Sequence, residues 1–439
     1  FFLLLHIVAF FFFVCYHNII SEIMLYGGIM FTDKRYYIVF LFIYTLIFSM
    51  LMPDSRYFFD NISLLLGEQT YLIHDFLETA GLSVTFFNVA MHFLIVYFLL
   101  KVYGKTNVTG LEFAALGTFI GHAFFGTHYL NVLPIIFGGL VYVSISRDRE
   151  KSSQPVILFA TGTAPLVSYL ALGTGHTLDN FIISSLLGFV LGFLSLPLAE
   201  HFHDFHKGFS LYNFGFTTGI ISMIALLILE YFGVGPPPVK IVLSEFSVYP
   251  IVYFLGILLF LVIYLFVHRK KIRYKNFKSL TNSKKNAPND YLERFGLLTT
   301  LLNMFINGSI YLLILILVSG HLSGPILGGL INLLGFSAFG KNIKNCYPIS
   351  IGIFIGAFLS QIQLSDLQFQ LALLFSCGLA PISSKYGKKY GIIAGLIHLN
   401  MVIITFWLHK GLSLYNNGFS TVIVAAVLFP IIEVFEDIF

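Results

Sequence analysis

Charge is what this sequence has least of. Its 439 residues include 25 basic and 21 acidic side chains, 10% of the chain, where a soluble globular domain carries about 25%. With 57% hydrophobic residues and a mean hydropathy of +0.87, the chain cannot cover a water-facing surface. That excludes a soluble enzyme, a nucleic-acid binder and a disordered scaffold. Cysteine is scarce too. Cys15, Cys346 and Cys377 sit in separate apolar stretches, which excludes a disulfide framework or a cysteine metal site and reads as three buried thiols. What remains is an all-α polytopic membrane protein. At about 20 residues per crossing plus a turn, the length allows roughly 14–16 crossings.

Apolar runs follow one another along the whole chain, several of them short and broken by Gly or Pro. About 13–15 membrane segments are expected, some of them re-entrant or half-helices. The run from Phe1 to Val14 has no basic region before it and no small-residue cleavage site after it. It reads as a partly missing first helix rather than a signal peptide. The one hydrophilic linker, 269–292, carries eight basic and no acidic residues between Arg269 and Lys285. Such a block is expected in the cytoplasm, with the protein in the cell membrane.

The chain compares with itself. Residues 121–135 (GHAFFGTHYLNVLPI) lie over 335–349 (GFSAFGKNIKNCYPI) with six of 15 identical. Residues 158–168 (LFATGTAPLVS) lie over 374–384 (LFSCGLAPISS) with six of 11, and 207–216 (KGFSLYNFGF) over 410–419 (KGLSLYNNGF) with eight of ten. The blocks keep their order at shifts of 214, 216 and 203 residues, so the second copy has lost about a loop. Asn88/Asn307, Gly110/Gly324 and Glu230/Glu433 extend the frame. The expected organisation is 1–74, N-terminal segments and an acidic outside loop; 75–235, repeat A; 236–291, a connecting span and the basic linker; and 292–439, repeat B. Positive loops fall in one copy only: 147–151 (RDREK) and 101–105 in the first, 385–389 (KYGKK) in the second. Since positive loops stay inside, the copies are expected to be inverted. Inverted repeats with broken helices are a known design for carrying solutes across bilayers.

The matched residues are mostly polar or helix-breaking. Asn131-x-x-Pro134 and Asn345-x-x-Pro348 read as breaks between half-helices, where Asn seals the break or lines a pore. Thr161-Gly162 and Gly378 belong to a second pair of breaks, suited to tight helix crossing or solute contact. Ser210, Tyr212 and Asn213 recur as Ser413, Tyr415 and Asn416; three hydrogen-bonding side chains opening an apolar run are costly unless they meet protein or water, and with the two pairs of breaks they are expected to line the substrate pathway. Glu230 and Glu433 are placed at the interface, and His92 as a satisfied core histidine. Glu112 and His122 share one segment without charged counterparts. The cluster Glu200-His201-Phe202-His203-Asp204-Phe205-His206 has spacings that could serve zinc, but only His206 has a counterpart, His409. No metal site, no cofactor and no enzymatic activity are expected.

The blocks AFFG…N…LPI, LF.TG.APLVS and KG.SLYN.GFT resemble a family of uncharacterised bacterial multi-pass membrane proteins defined by a duplicated domain of unknown function. More faintly, the order of blocks is similar to that of urea transporters. Their inverted halves each carry an Asn-Pro-Leu re-entrant segment and a Leu-Tyr-Gly-Phe-Asn-like stretch. Here Leu211-Tyr212-Asn213-Phe214-Gly215 has those letters in another order, and Asn131 stands three residues from Pro134. That resemblance implies two inverted halves around a narrow pathway, within a homo-oligomer, trimer or dimer. The expected function is a transporter or channel for a small, neutral or weakly polar solute. Its partners are the lipid bilayer and that solute. The alternatives are an ion-coupled secondary transporter of an organic solute, or a membrane-embedded envelope- or lipid-handling protein.

Overall fold

A computed structural model describes residues 34–72, 74–103, 109–146, 154–172, 177–235, 247–284 and 289–438. The run at 1–16 with Cys15, the basic loop at 147–151 and the stretch 236–246 lie outside the described residues. Among the described residues all regular structure is helical. α1 (Lys34–Met50) passes through a 3-10 turn (Ser55–Tyr57) to α2 (Phe58–Gly67). Then come α3 (Phe76–Thr79), α4 (Gly81–Tyr103), α5 (Gly110–His122), α6 (Tyr129–Ile145), α7 (Gln154–Ala160), α8 (Ala164–Leu172), α9 (Leu178–His206) and α10 (Asn213–Tyr231). The chain continues with α11 (Tyr249–Val267), a 3-10 turn (Arg269–Lys271), α12 (Tyr274–Thr281), α13 (Tyr291–Phe295), α14 (Leu297–Ser319) and α15 (Gly324–Phe336). It closes with α16 (Ile343–Leu359), α17 (Leu367–Phe375), α18 (Ala380–Tyr386), α19 (Lys388–His409) and α20 (Asn416–Ile438).

Among the described residues eight helices are long and apolar enough to cross a membrane, and a ninth span results if α1 and the bent Ser55–Gly67 segment, at 95°, count as one. Four further apolar helices are too short to cross alone. The duplication is visible element by element. α4 and α14 each have 23 residues, α5 and α15 each 13, α6 and α16 each 17. α7–α8 and α17–α18 are both helices interrupted by a 3-10 turn, at Thr161–Thr163 and Ser376–Leu379. The correspondence extends upstream of residue 75, since α1, its 3-10 turn and α2 match α11, its 3-10 turn and α12. The change of shift from 216 to 203 falls mainly in a helix: α9 has 29 residues and α19 has 22. The basic linker is not wholly extended. It folds into α12, whose Leu280 is fully buried.

Equivalent helices pack on each other antiparallel. Along α5 and α15 the backbones touch at Gly121 with Gly328, at Gly117 with Gly335 and at Phe113 with Gly335, so one sequence rises as the other falls. A Cβ on Gly121 would lie 2.5 Å from the Gly328 carbonyl oxygen, so only glycine allows this approach. Along α10 and α20, Ser210 meets Thr421, Gly215 meets Gly418, and Thr218 meets Ser413. At the far end Lys410 pairs with Glu230 at 2.6 Å. Two repeat-related spans that run antiparallel are the geometry an inverted duplication requires. One weak match is corrected. Asn88 donates to the carbonyls of Ala123 and Thr127, and Asn303 donates to both equivalent carbonyls, of Ser337 and Lys341, at 2.7 Å each, whereas Asn307 reaches the Lys341 carbonyl at 3.3 Å and the Ser337 hydroxyl.

Candidate functional site

The Asn-x-x-Pro elements are not themselves the breaks. In both copies the break comes just before, at Gly126 (φ +84°) and Gly340 (φ +101°). The following helix starts with a capping box. Asn131 Oδ1 accepts the His128 amide at 3.0 Å, and Asn345 Oδ1 accepts the Asn342 amide at 2.9 Å. The remaining Asn131 amide donors go to the Gly126 carbonyl and the Ser168 hydroxyl, and those of Asn345 to the Gly340 carbonyl and the Ser384 hydroxyl. Both side chains are buried and spent within their own repeat. Pro134 and Pro348 lie inside α6 and α16 rather than at the turn.

The second and third pairs of candidates meet each other, and they do so across the repeats. Leu211 N donates to Gly378 O at 2.9 Å, and Leu414 N donates to Gly162 O at 2.9 Å. Each Ser-Leu-Tyr-Asn turn therefore fills the break of the other copy, where a 3-10 turn leaves a carbonyl without a helical partner. The tyrosine rings seat on the bare glycines. A Cβ on Gly162 would fall 2.1 Å from the Tyr415 ring, and one on Gly378 2.3 Å from the Tyr212 ring. Thr161 opens the 3-10 turn and turns its hydroxyl back to the Leu158 carbonyl at 2.7 Å.

Within each turn the small polar residues hold the hairpin. His206 donates to Asn213 Oδ1 at 3.1 Å and His409 to Asn416 Oδ1 at 3.1 Å, while the amides donate to the carbonyls of Ala199 and Val402. This explains why His206 and His409 are the one matched pair from the histidine cluster. Ser210 bonds Thr421, and Ser413 bonds Thr218. His92 is satisfied by the Asn88 carbonyl and the Thr127 hydroxyl, and Glu112 closes a capping box with Thr109. Glu230 and Glu433 are partly exposed and paired with Lys410 and Lys385.

The tyrosines are different. Tyr212 donates to Asn332 Oδ1 at 2.7 Å and accepts from Lys341 Nζ at 2.5 Å. Tyr415, its counterpart, is 3% exposed, yet among the described residues its hydroxyl has no partner, and neither ring nitrogen of the neighbouring His122 has one. The two rings meet edge-on at 4.8 Å. Tyr212 and Tyr415 both line a cavity of about 210 Å³ with Val156, Phe159, Asn213 and Phe336.

Two site features escape the sequence reading. Asp75 caps α3 and accepts the Gly324 amide of the other repeat at 3.1 Å, and Asp290 caps α13 and accepts the Gly110 amide at 2.7 Å. Asp75-Phe-Leu-Glu78 against Asp290-Tyr-Leu-Glu293 was a signal for them. Lys341 had another: a lysine in an apolar segment is a functional candidate by default.

The model of a protein family of unknown function, DUF1576, matches residues 55–231 and 269–434. The chain belongs to the DUF1576 family. The two matched stretches open on the two equivalent 3-10 turns, so this DUF1576 protein carries the same run of elements twice. No curated protein and no solved structure matches the chain, and the likeness to urea transporters rests on the sequence blocks alone.

Proposed function

We propose that this integral membrane protein is a transporter or channel for a small, neutral or weakly polar solute, with its pathway at the interface of the two repeats. The observation that carries the reading is the unpartnered pair Tyr415 and His122. A buried polar group without a hydrogen bond costs about 1–3 kcal/mol, and nearly every other polar group in the matched blocks is used to hold a turn or a cap. A solute or water passing between the repeats supplies the missing partners. The size of the adjoining cavity, about 210 Å³, supports a small solute. The walls are mainly aromatic and aliphatic, with His203 the one titratable side chain among them other than the tyrosines. Such a wall suits a solute that keeps few hydrogen bonds.

The test is flux through the full chain in proteoliposomes, with urea, glycerol and formamide as probes. At least one should pass faster than through protein-free vesicles. Val156→Trp, which fills the cavity from α7, should stop it in a protein that remains monodisperse. No flux with any probe, or flux indifferent to Val156→Trp, contradicts the reading.

A further inference from the structure

Lys341 is fully buried. Its ammonium lies 4.7 Å from the Tyr212 ring centre and 5.1 Å from that of Phe336, and bonds the Tyr212 hydroxyl. The ion pairs among the described residues leave it out. The Phe336 ring and the Tyr212 hydroxyl stabilise a cation by cation–π and hydrogen-bond contacts, but they do not neutralise it. A buried charge without an opposite charge is strongly disfavoured. Its position in the other repeat is Thr127, so symmetry does not demand a lysine here. A caged cation that the other repeat does without calls for a partner of opposite sign.

The surroundings say which partner. Tyr212 and Phe336, the two rings beside Lys341, are also walls of the 210 Å³ cavity, and no carboxylate lines that cavity. Tyr415, with its unused hydroxyl, is another of its walls. Lys341 itself is not a wall of the cavity and adjoins it through Tyr212 and Phe336, so the interface sets a buried cation next to a small cavity that has an unused hydroxyl and no carboxylate among its described walls. We infer that Lys341, held in place by Tyr212, forms a binding site for a small monovalent anion, inorganic or a short carboxylate, at the repeat interface. The inference goes beyond the transport reading and does not require flux: the anion binds whether or not it is what crosses.

The experiment is thermal unfolding of the purified full chain in detergent, titrated with sodium nitrate, chloride, formate or acetate against sodium gluconate at constant sodium. At least one small anion should raise the melting temperature saturably, by about 2 °C or more, whereas gluconate should not. The salts that act separate inorganic anions from carboxylates. Lys341→Met should abolish the rise and Lys341→Arg should keep it. Tyr212→Phe should weaken the apparent affinity about fivefold or more, and it keeps the test open if Lys341→Met does not fold. The inference is overturned by an absent, non-saturating or gluconate-equal response in the parent, or by an unchanged response in Lys341→Met or Tyr212→Phe. Flux that persists in a protein without anion binding would overturn this inference and leave the transport reading standing.

Discussion

Asn332 donates its side-chain amide to the Thr118 hydroxyl at 2.7 Å, and the two residues hold the same position in the two copies, 214 residues apart. A contact between equivalents marks the axis that relates the repeats. Gly215 with Gly418, and Phe216 with Phe419 at 5.6 Å between ring centres, mark it again on the other helix pair. Asn332 also accepts the Tyr212 hydroxyl, so the axis residue ties the helix crossing to the tyrosine cage.

Replacing Asn332 by Leu should cost about 1–3 kcal/mol, because it deprives the Tyr212 hydroxyl of its acceptor inside the protein. Denaturant unfolding in detergent reads this directly. An unchanged midpoint would mean that the Asn332 bonds contribute nothing to the crossing.

The close approach of α5 and α15 makes a second prediction. Gly121→Ala puts a methyl 2.5 Å from the Gly328 oxygen and should destabilise by about 1–3 kcal/mol, as overpacking does. Gly67→Ala, where nothing lies within 4 Å, should be neutral by comparison. The pair of melting temperatures separates crowding from the general effect of losing glycine.

Glu230 and Lys410 form a partly exposed pair joining the repeats at 2.6 Å. Glu230→Gln should shift stability by less than about 1 kcal/mol, and less still at high salt. It should leave solute flux unchanged. Loss of flux with stability intact would instead make Glu230 part of the pathway.

The inverted arrangement is checked by labelling. A cysteine placed at Gln363 should react with an impermeant reagent from outside, and one at Asp148 should not. The native Cys346 and Cys377 are buried and give little background. Labelling of both positions from the same side contradicts the inversion.

The duplication was legible because polar letters stand out in an apolar background. Lys-Gly-x-Ser-Leu-Tyr-Asn cannot recur by hydrophobic drift. What those letters do was less legible. Asn213 and Asn416 look like solute ligands in sequence, yet they tie a hairpin through His206 and His409. Asn131 and Asn345 read equally as a seal of the break or a pore lining, and they serve as caps. Proline placed the breaks a turn too late, because Pro134 and Pro348 are tolerated inside a helix near its start, while the glycine before each cap makes the turn. The swap of Leu211 onto Gly378 and Leu414 onto Gly162 is long-range and leaves no local trace. Comparing the copies also hides whatever they do not share, and so Lys341, opposite Thr127, stayed out of view.

Tyr415→Phe bears most directly on the pathway at the repeat interface. The Tyr415 hydroxyl holds no other group in place, so removing it should leave the melting temperature of the purified protein unchanged or slightly higher. The measurement is stopped-flow light scattering of proteoliposomes loaded with the parent or with Tyr415→Phe, using whichever of urea, glycerol and formamide the parent passes. The account predicts a flux change of about fivefold or more in a protein of undiminished stability. Equal flux in the two proteins would contradict it.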